Sequence, residues 1–321
     1  LDTPGQEIGQ EDFWETGVES FGRWEVREGQ RVWRLYGLPF GGGCNLFFYN
    51  PACFQKARIR LGKLPGPAGL ERSEPVWVLD DEHWTLEEFI AVCQRLTMDE
   101  DGDGRIDQFG FSPPEPYMYY WFPFDWMLGA EHLDPEKKHL ALATPAGEAS
   151  MRLYQDLCYK YRVAPQAGEN TLTESASFCT GRVSMFCNGN WVMPFLNSTG
   201  VEYGVLHIPR SAPGAARHTR ITWDSLVMFT GSKKKPEAWT LMHFLLHPEA
   251  QEVLSKSQHM LPARKASGGQ YAAYNPRVQV HKFIEACSYA RMQPITQHWA
   301  KMYFTWKRAM EQLRSARVED R

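Results

Sequence analysis

With 321 residues, 43% of them hydrophobic, the chain is longer than a usual single domain and apolar enough to build two cores. Its formal charge of −3 is mixed along the sequence, without the basic footprint of a nucleic-acid surface. No run approaches the roughly 20 apolar residues that a bilayer span needs, and Leu1-Asp-Thr-Pro-Gly-Gln-Glu7 is not a signal peptide.

In chain order, Tyr36-Gly-Leu-Pro-Phe-Gly-Gly-Gly43 comes first, followed at once by the apolar strand Leu46–Asn50. Pro39 fixes one dihedral and three glycines relax the next, so the segment reads as a turn-like hinge. Gly62–Gly69 is a loop. Thr85 with Glu88 makes a capping box, and Leu86, Phe89, Ile90, Cys93 and Leu96 then recur at helical spacing. Thr144-Pro145 opens a second helix whose Leu153, Tyr154, Leu157, Cys158 and Tyr161 face one way. Val183–Cys187, Tyr203–His207 and Ser225–Thr230 read as strands, and Ile208–Ala216 as a loop. Pro236 and Pro248 each begin a helix. Trp299–Arg317 reads as a packed helix with a solvated face, carrying Met302, Trp306, Met310 and Leu313 among lysines and arginines. Strands alternating with long helices imply α/β layers.

The seven cysteines show no Cys-x-x-Cys pair, which suits buried free thiols and a reducing compartment better than a disulfide framework. Asp99, Asp101, Asp103 and Asp107 stand at positions one, three, five and nine of a calcium-type loop with Gly104 at six. Position twelve is Gly110, which offers no carboxylate, so the alternatives are a structural calcium site and a self-capping turn. His243-x-x-x-His247 lacks the glutamate of a zinc peptidase, and no nucleophile elbow, Walker loop or dinucleotide fingerprint occurs.

Trp84-Thr-Leu-Glu-Glu-Phe89, Asp101–Gly110, Glu115-Pro-Tyr117, Phe178–Trp191, Val201–Val205, His247-Pro-Glu-Ala250 and Leu261-Pro262 follow the hinge in an order and spacing that resemble one family. It comprises the bacterial extracellular solute-binding proteins of sugar-type ABC transporters, the maltose-binding-protein type. The resemblance implies a two-lobed α/β fold of the periplasmic-binding-protein class II. One lobe would hold 1–38 and 217–265 and the other 39–208 and 280–321, with hinges near 38–43, 208–216 and 262–280. It also implies strand and helix units ahead of the hinge, where only about 38 residues stand here, so the first lobe is expected to be incomplete.

The function implied is carbohydrate binding without covalent chemistry, in a cleft between lobes, by a monomer that docks on permease subunits. Sugars present flat C–H faces ringed by hydroxyls, matched by aromatic platforms beside amides and carboxylates. By the resemblance Glu115 accepts hydroxyls, Tyr117 stacks with Trp121 nearby, and the turn Asn188-Gly-Asn190-Trp191 supplies a stacking tryptophan. Ordinary core packing remains the alternative for Tyr117, Trp121 and Trp191. Trp223-Asp224 falls at a ligand-facing turn, although the family more often has a glycine-rich stretch there. Tyr303 and Trp299 lie roughly where a late aromatic closes over the sugar. Phe40 to Asn45 can offer backbone amides and the Asn45 side chain, or act only as a hinge. Two rival readings are a cytoplasmic sugar sensor behind an upstream DNA-binding domain, favoured by the cysteines, and a glycoside hydrolase using Glu115 and Asp224.

Overall fold

The computed structural model describes residues 8–114, 117–134, 136, 139–169, 172–257, 259–274 and 278–315. After helix α1 (Glu15–Phe21), the strands β1 (Gly22–Arg27) and β2 (Gln30–Leu35) form an antiparallel hairpin. Its turn is Glu28-Gly29, both with positive φ (52° and 78°), the geometry that two-residue hairpins favour. Strand β3 (Leu38–Tyr49) then runs for 12 residues, nearly all buried.

Helix α2 (Pro51–Lys56) and the strands β4 (Ile59–Leu61), β5 (Leu70–Glu71) and β6 (Trp77–Leu79) precede α3 (Leu86–Leu96). The Thr85–Glu88 capping box forms as expected, with Glu88 Oε2 accepting from the Thr85 amide at 2.7 Å. Then come α4 (Phe122–Met127), α5 (Pro145–Tyr159) and α6 (Glu174–Cys179), followed by β7 (Met185–Gly189), α7 (Met193–Thr199) and β8 (Gly204–Leu206). Strand β9 (Arg220–Leu226) leads to α8 (Lys235–Leu245), α9 (Pro248–Ser257), β10 (Leu261–Pro262), α10 (Gly268–Ala273), α11 (His281–Ala286), β11 (Arg291–Met292) and α12 (Trp299–Ser315). Among the described residues, no helix is long and apolar enough to cross a membrane.

The chain divides into two units. Unit 1 holds residues up to 44, 189–194 and 221–292; unit 2 holds 45–188, 195–220 and 293–321. The chain therefore passes between them at 44/45 inside β3, where the sequence suggested 38/39, and 266–292 fall wholly in unit 1.

In unit 1 the first half of β3 pairs antiparallel with β9, from Leu38↔Leu226 to Cys44↔Ile221, and with β10 at Gly41 and Gly42. The glycines here do not make a turn. The ladder shows a single irregularity between Pro39 and Gly41, and the strand continues. What the glycines provide is close approach: a Cβ on Gly42 would stand 2.4 Å from the Trp223 ring, and one on Gly43 2.4 Å from Asn190 Oδ1. Strand β9 likewise starts earlier than the apolar run Ser225–Thr230 suggested. Its partner begins at Leu38, so the ladder ends at Leu226 and leaves Val227 and Phe229 exposed. Helix α8 has no buried residue.

In unit 2 the second half of β3 pairs with β8 (Phe47↔Leu206 to Tyr49↔Gly204) and with β7. The core is aromatic. Phe47 meets Phe89 and Phe111 at 5.3 Å each and the Trp84 ring edge-on at 5.9 Å, all four buried. Each such side chain contributes about 1.5–3 kcal/mol through burial, with a smaller share from ring geometry. Helix α12 joins this core through Met302, Trp306 and Met310, as its spacing predicted.

The glycine reading has a test with an internal control. Gly43→Ala is expected to destabilise by about 1–3 kcal/mol through overpacking. Gly269→Ala, in α10 with nothing near its Cβ position, is expected to stabilise by about 0.5–1 kcal/mol. Denaturant unfolding of both variants reads the two signs.

Candidate functional site

Unit 2 gathers three tyrosines into a stack. Tyr117 and Tyr119 lie 5.4 Å apart at 25°, and Tyr119 and Tyr303 6.1 Å apart at 22°. Tyr117 and Tyr119 come from the turn before α4, and Tyr303 from the first turns of α12. Tyr117 is 43% exposed, so the stack ends in an accessible ring. Burial pushes the Tyr119 hydroxyl up to about 12, with Tyr303 adding to the shift, so it remains a hydrogen-bond donor at neutral pH.

The Arg220 guanidinium lies over the Tyr119 ring, 4.7 Å from its centroid. Its Nε and Nη2 donate to Gln293 Oε1 at 2.8 and 2.6 Å, and Nη1 donates to Asn45 Oδ1 at 3.4 Å. Asn45 is fully buried, so its side chain serves to hold this arginine. Glu174, at the first position of α6, is pushed up to about 8 by burial, and its charge is felt by Tyr119, Tyr154 and Cys187. Arg220, Gln293 and Glu174 were not legible beforehand, since each is a single polar residue outside any motif.

Trp121, expected near the ligand, is instead core. It is fully buried, stacked on Phe124 at 4.1 Å, edge-on to Tyr154, with its indole N–H donated to Ser150. An apolar helix start draws it inward, and neither face is open. Trp299 also packs against the core, edge-on to Phe122 at 6.3 Å. Glu115 lies outside the described residues.

Unit 1 holds Phe40, Asn190, Trp191, Trp223 and Asp224. The Trp191 ring rests on two glycine backbones, since a Cβ on Gly43 or Gly189 would meet it at 2.7 or 2.2 Å, and it is half-buried. Asn190 is fully buried and donates its amide to the carbonyls of His259 (2.9 Å) and Gly42 (3.4 Å), a clamp on β3. Trp223 is buried, its indole N–H on the Thr16 hydroxyl at 2.9 Å, which leaves no ring face for a ligand. The indole fills the space that Gly42 leaves, the physical reason that it turns inward. Its neighbour Asp224 points outward, and partial desolvation raises its pKa against the opposing pull of His259. The Phe40 carbonyl accepts from Gln251 at 3.0 Å.

In the acidic loop, oxygens of Asp99, Asp101 and Asp107 come within 4.8 Å of one another; Asp103 is not in that group. Loop amides already take much of the oxygen: Asp99 accepts from Gly102 and Gly104, Asp101 from Asp103, Asp103 from Arg105, and Asp107 from Glu100.

Residues 8–275 match the model of a family described as bacterial extracellular solute-binding protein. The chain belongs to that family. It is a family of binding proteins, not of enzymes. Binding proteins of Brucella abortus (strain 2308) and Brucella suis biovar 1 (strain 1330) are each 24% identical over 287 residues, covering 87% of this chain and 63% of theirs. The chain thus spans less than two thirds of the length of these curated relatives. Among solved structures, an ABC substrate-binding protein of Listeria monocytogenes in complex with cycloalternan matches with TM-score 0.74 and 16% identity over 99% of this chain and 74% of that one. The maltotriose-binding protein of Thermus thermophilus, bound to maltotriose, matches with TM-score 0.69 and 20% identity over 99% and 75%. These likenesses establish the two-lobed α/β fold.

Glu174 provides a pH test. Its folded pKa near 8 lies above the ordinary carboxylate value, so its contribution is fully present below pH of about 4.5 and is lost as pH rises toward 8. Relative to Glu174→Gln, the wild type is expected to lose thermal stability across that window and level off above it. Parallel pH profiles of Tm would contradict the assignment.

Proposed function

We propose that the chain binds a carbohydrate, most suitably an oligosaccharide, as the substrate-binding component of an ABC transporter, and performs no covalent chemistry. The observation that carries this is the tyrosine stack of unit 2, which ends in an exposed ring and is flanked by the Arg220 guanidinium and the Gln293 amide. That combination suits sugar C–H faces and hydroxyls together. In unit 1 the half-buried Trp191, seated on glycine backbone, offers a second aromatic platform. Family membership and the saccharides named for the structurally similar proteins support the same reading. Its partners would be a sugar and the permease subunits, its working state a monomer, and its location outside the cytoplasmic membrane as an anchored lipoprotein.

Tryptophan fluorescence is the direct test. This chain is expected to show a saturable change with one class of oligosaccharide, weakened about 2- to 10-fold by Tyr117→Ala or Trp191→Ala, in line with the loss of one stacking contact. No response to any sugar from folded protein would remove the proposal.

A second reading, a cytoplasmic sugar-sensing domain of a transcriptional regulator, is favoured by one observation. None of the seven cysteines is in a disulfide, and all but Cys179 are buried. Cell fractionation separates the two readings: membrane-associated or exported protein supports transport, and cytoplasmic protein supports the sensor.

For the acidic loop we propose a structural calcium ion held by Asp99, Asp101 and Asp107. Millimolar CaCl2 is expected to raise Tm by a few degrees relative to EDTA, about 1 kcal/mol or more of stabilisation, and Asp101→Asn to abolish the rise. An unchanged Tm would leave the loop as a self-capped turn.

A further inference from the structure

Arg220 is only 5% exposed, and its partners among the described residues, Gln293, Asn45 and the Tyr119 ring, are neutral. Burying a guanidinium is costly unless a countercharge lies beside it. Three other arginines of unit 2 follow that rule, Arg95 pairing with Glu74 at 2.8 Å, Arg162 with Glu169 at 2.9 Å and Arg217 with Glu82 at 3.0 Å, while the less buried Arg182 is held by the carbonyls of Ile106 and Asp107. The three paired side chains retain 19%, 38% and 11% exposure, so Arg220 is more buried than any of them and still makes no ion pair among the described residues. Burial lowers its pKa to about 10, which leaves it charged at neutral pH.

The manner in which it is held points the same way. Two of its N–H groups converge on the one oxygen of Gln293, where a carboxylate or phosphate would present two. Nη1 makes only a long 3.4 Å bond to Asn45. Of the five N–H donors of a guanidinium, some therefore remain for a ligand. Gln293 is part-exposed, and the guanidinium sits on Tyr119 in the middle of the stack assigned to the sugar.

We propose that the ligand is an acidic saccharide, whose carboxylate or phosphate group is received by Arg220 beside the tyrosine stack. This rests on the carbohydrate reading and narrows it. Neutral partners hold the guanidinium in place without spending its charge, so among the described residues the site has a cation of fixed orientation and no ion pair, ready for an anion on the sugar. Binding would be salt-sensitive to the extent that the group remains open to solvent.

The test uses unmodified protein and matched ligands. Oligouronides of galacturonate, glucuronate and mannuronate are titrated beside their methyl esters, with glucose 6-phosphate and neutral malto-oligosaccharides as further arms. A charge-assisted hydrogen-bond pair predicts that one acid binds about 10- to 100-fold more tightly than its own ester. Preference for an oligouronide assigns a carboxylate, and preference for the phosphate arm assigns a phosphate. Arg220→Gln, with its fold checked by circular dichroism, is expected to remove the preference; if it does not fold, the acid-to-ester ratio in the wild type still decides. Equal affinity for acid and ester, or binding of neutral sugars alone, overturns the anionic ligand while leaving the carbohydrate reading intact. No binding of any saccharide overturns both.

Discussion

Strand β3 is the constraint on which the rest of the structure depends. Its first half carries the ladders to β9 and β10 in unit 1, and its second half those to β7 and β8 in unit 2. Such a strand has neighbours on both edges and both faces, so its sequence must satisfy two different environments. It does so by changing composition midway. Glycines in the first half allow the Trp223 and Trp191 rings to lie against backbone, and Phe47 and Phe48 in the second half enter aromatic packing. Asn190 adds a polar clamp to the first half by donating to the Gly42 carbonyl.

The same division of labour explains where the aromatic residues go. With 12 tryptophans in the chain, composition alone suggests an abundance of stacking surfaces. Trp84, Trp121, Trp126, Trp223 and Trp306 are all buried. The indole N–H of Trp84 goes to the His207 carbonyl at 3.0 Å, that of Trp121 to Ser150 and that of Trp223 to Thr16. A large ring with one donor is cheap to bury once that donor is met. Tyrosine keeps its hydroxyl at the far end of the ring and suits a position half in solvent, which is where Tyr117, Tyr119 and Tyr303 stand.

Much of the helical layer was legible because its signals are local. The Thr85–Glu88 box, Thr144 ahead of Pro145 and the spacing of Met302, Trp306 and Met310 each specify an element within a few residues. Strand limits were less legible because they depend on partners. Nothing in Arg220-Ile-Thr-Trp-Asp-Ser-Leu226 outweighs the more apolar Ser225–Thr230 until the register with β3 is known. The β1–β2 hairpin escaped notice for a related reason: its burial pattern is mostly exposed, so hydrophobic alternation is weak, and its Glu-Gly turn is less distinctive than Asn-Gly.

The candidate site divides along the same line. Tyr117 and Trp191 were marked by motifs, and both occupy accessible or half-buried positions. Arg220 carries no motif, and its significance lies in what surrounds it: two amide side chains and a ring, contributed by Gln293, Asn45 and Tyr119 from distant parts of the sequence. A charged residue opening a strand ordinarily reads as a solvated edge. Only tertiary burial turns it into a cation in want of an anion, because the cost of desolvation is set by neighbours and not by the residue itself. Specificity in a binding site of this kind therefore resides in the residues least visible to pattern, while the aromatic platform that pattern does reveal is common to many sugars.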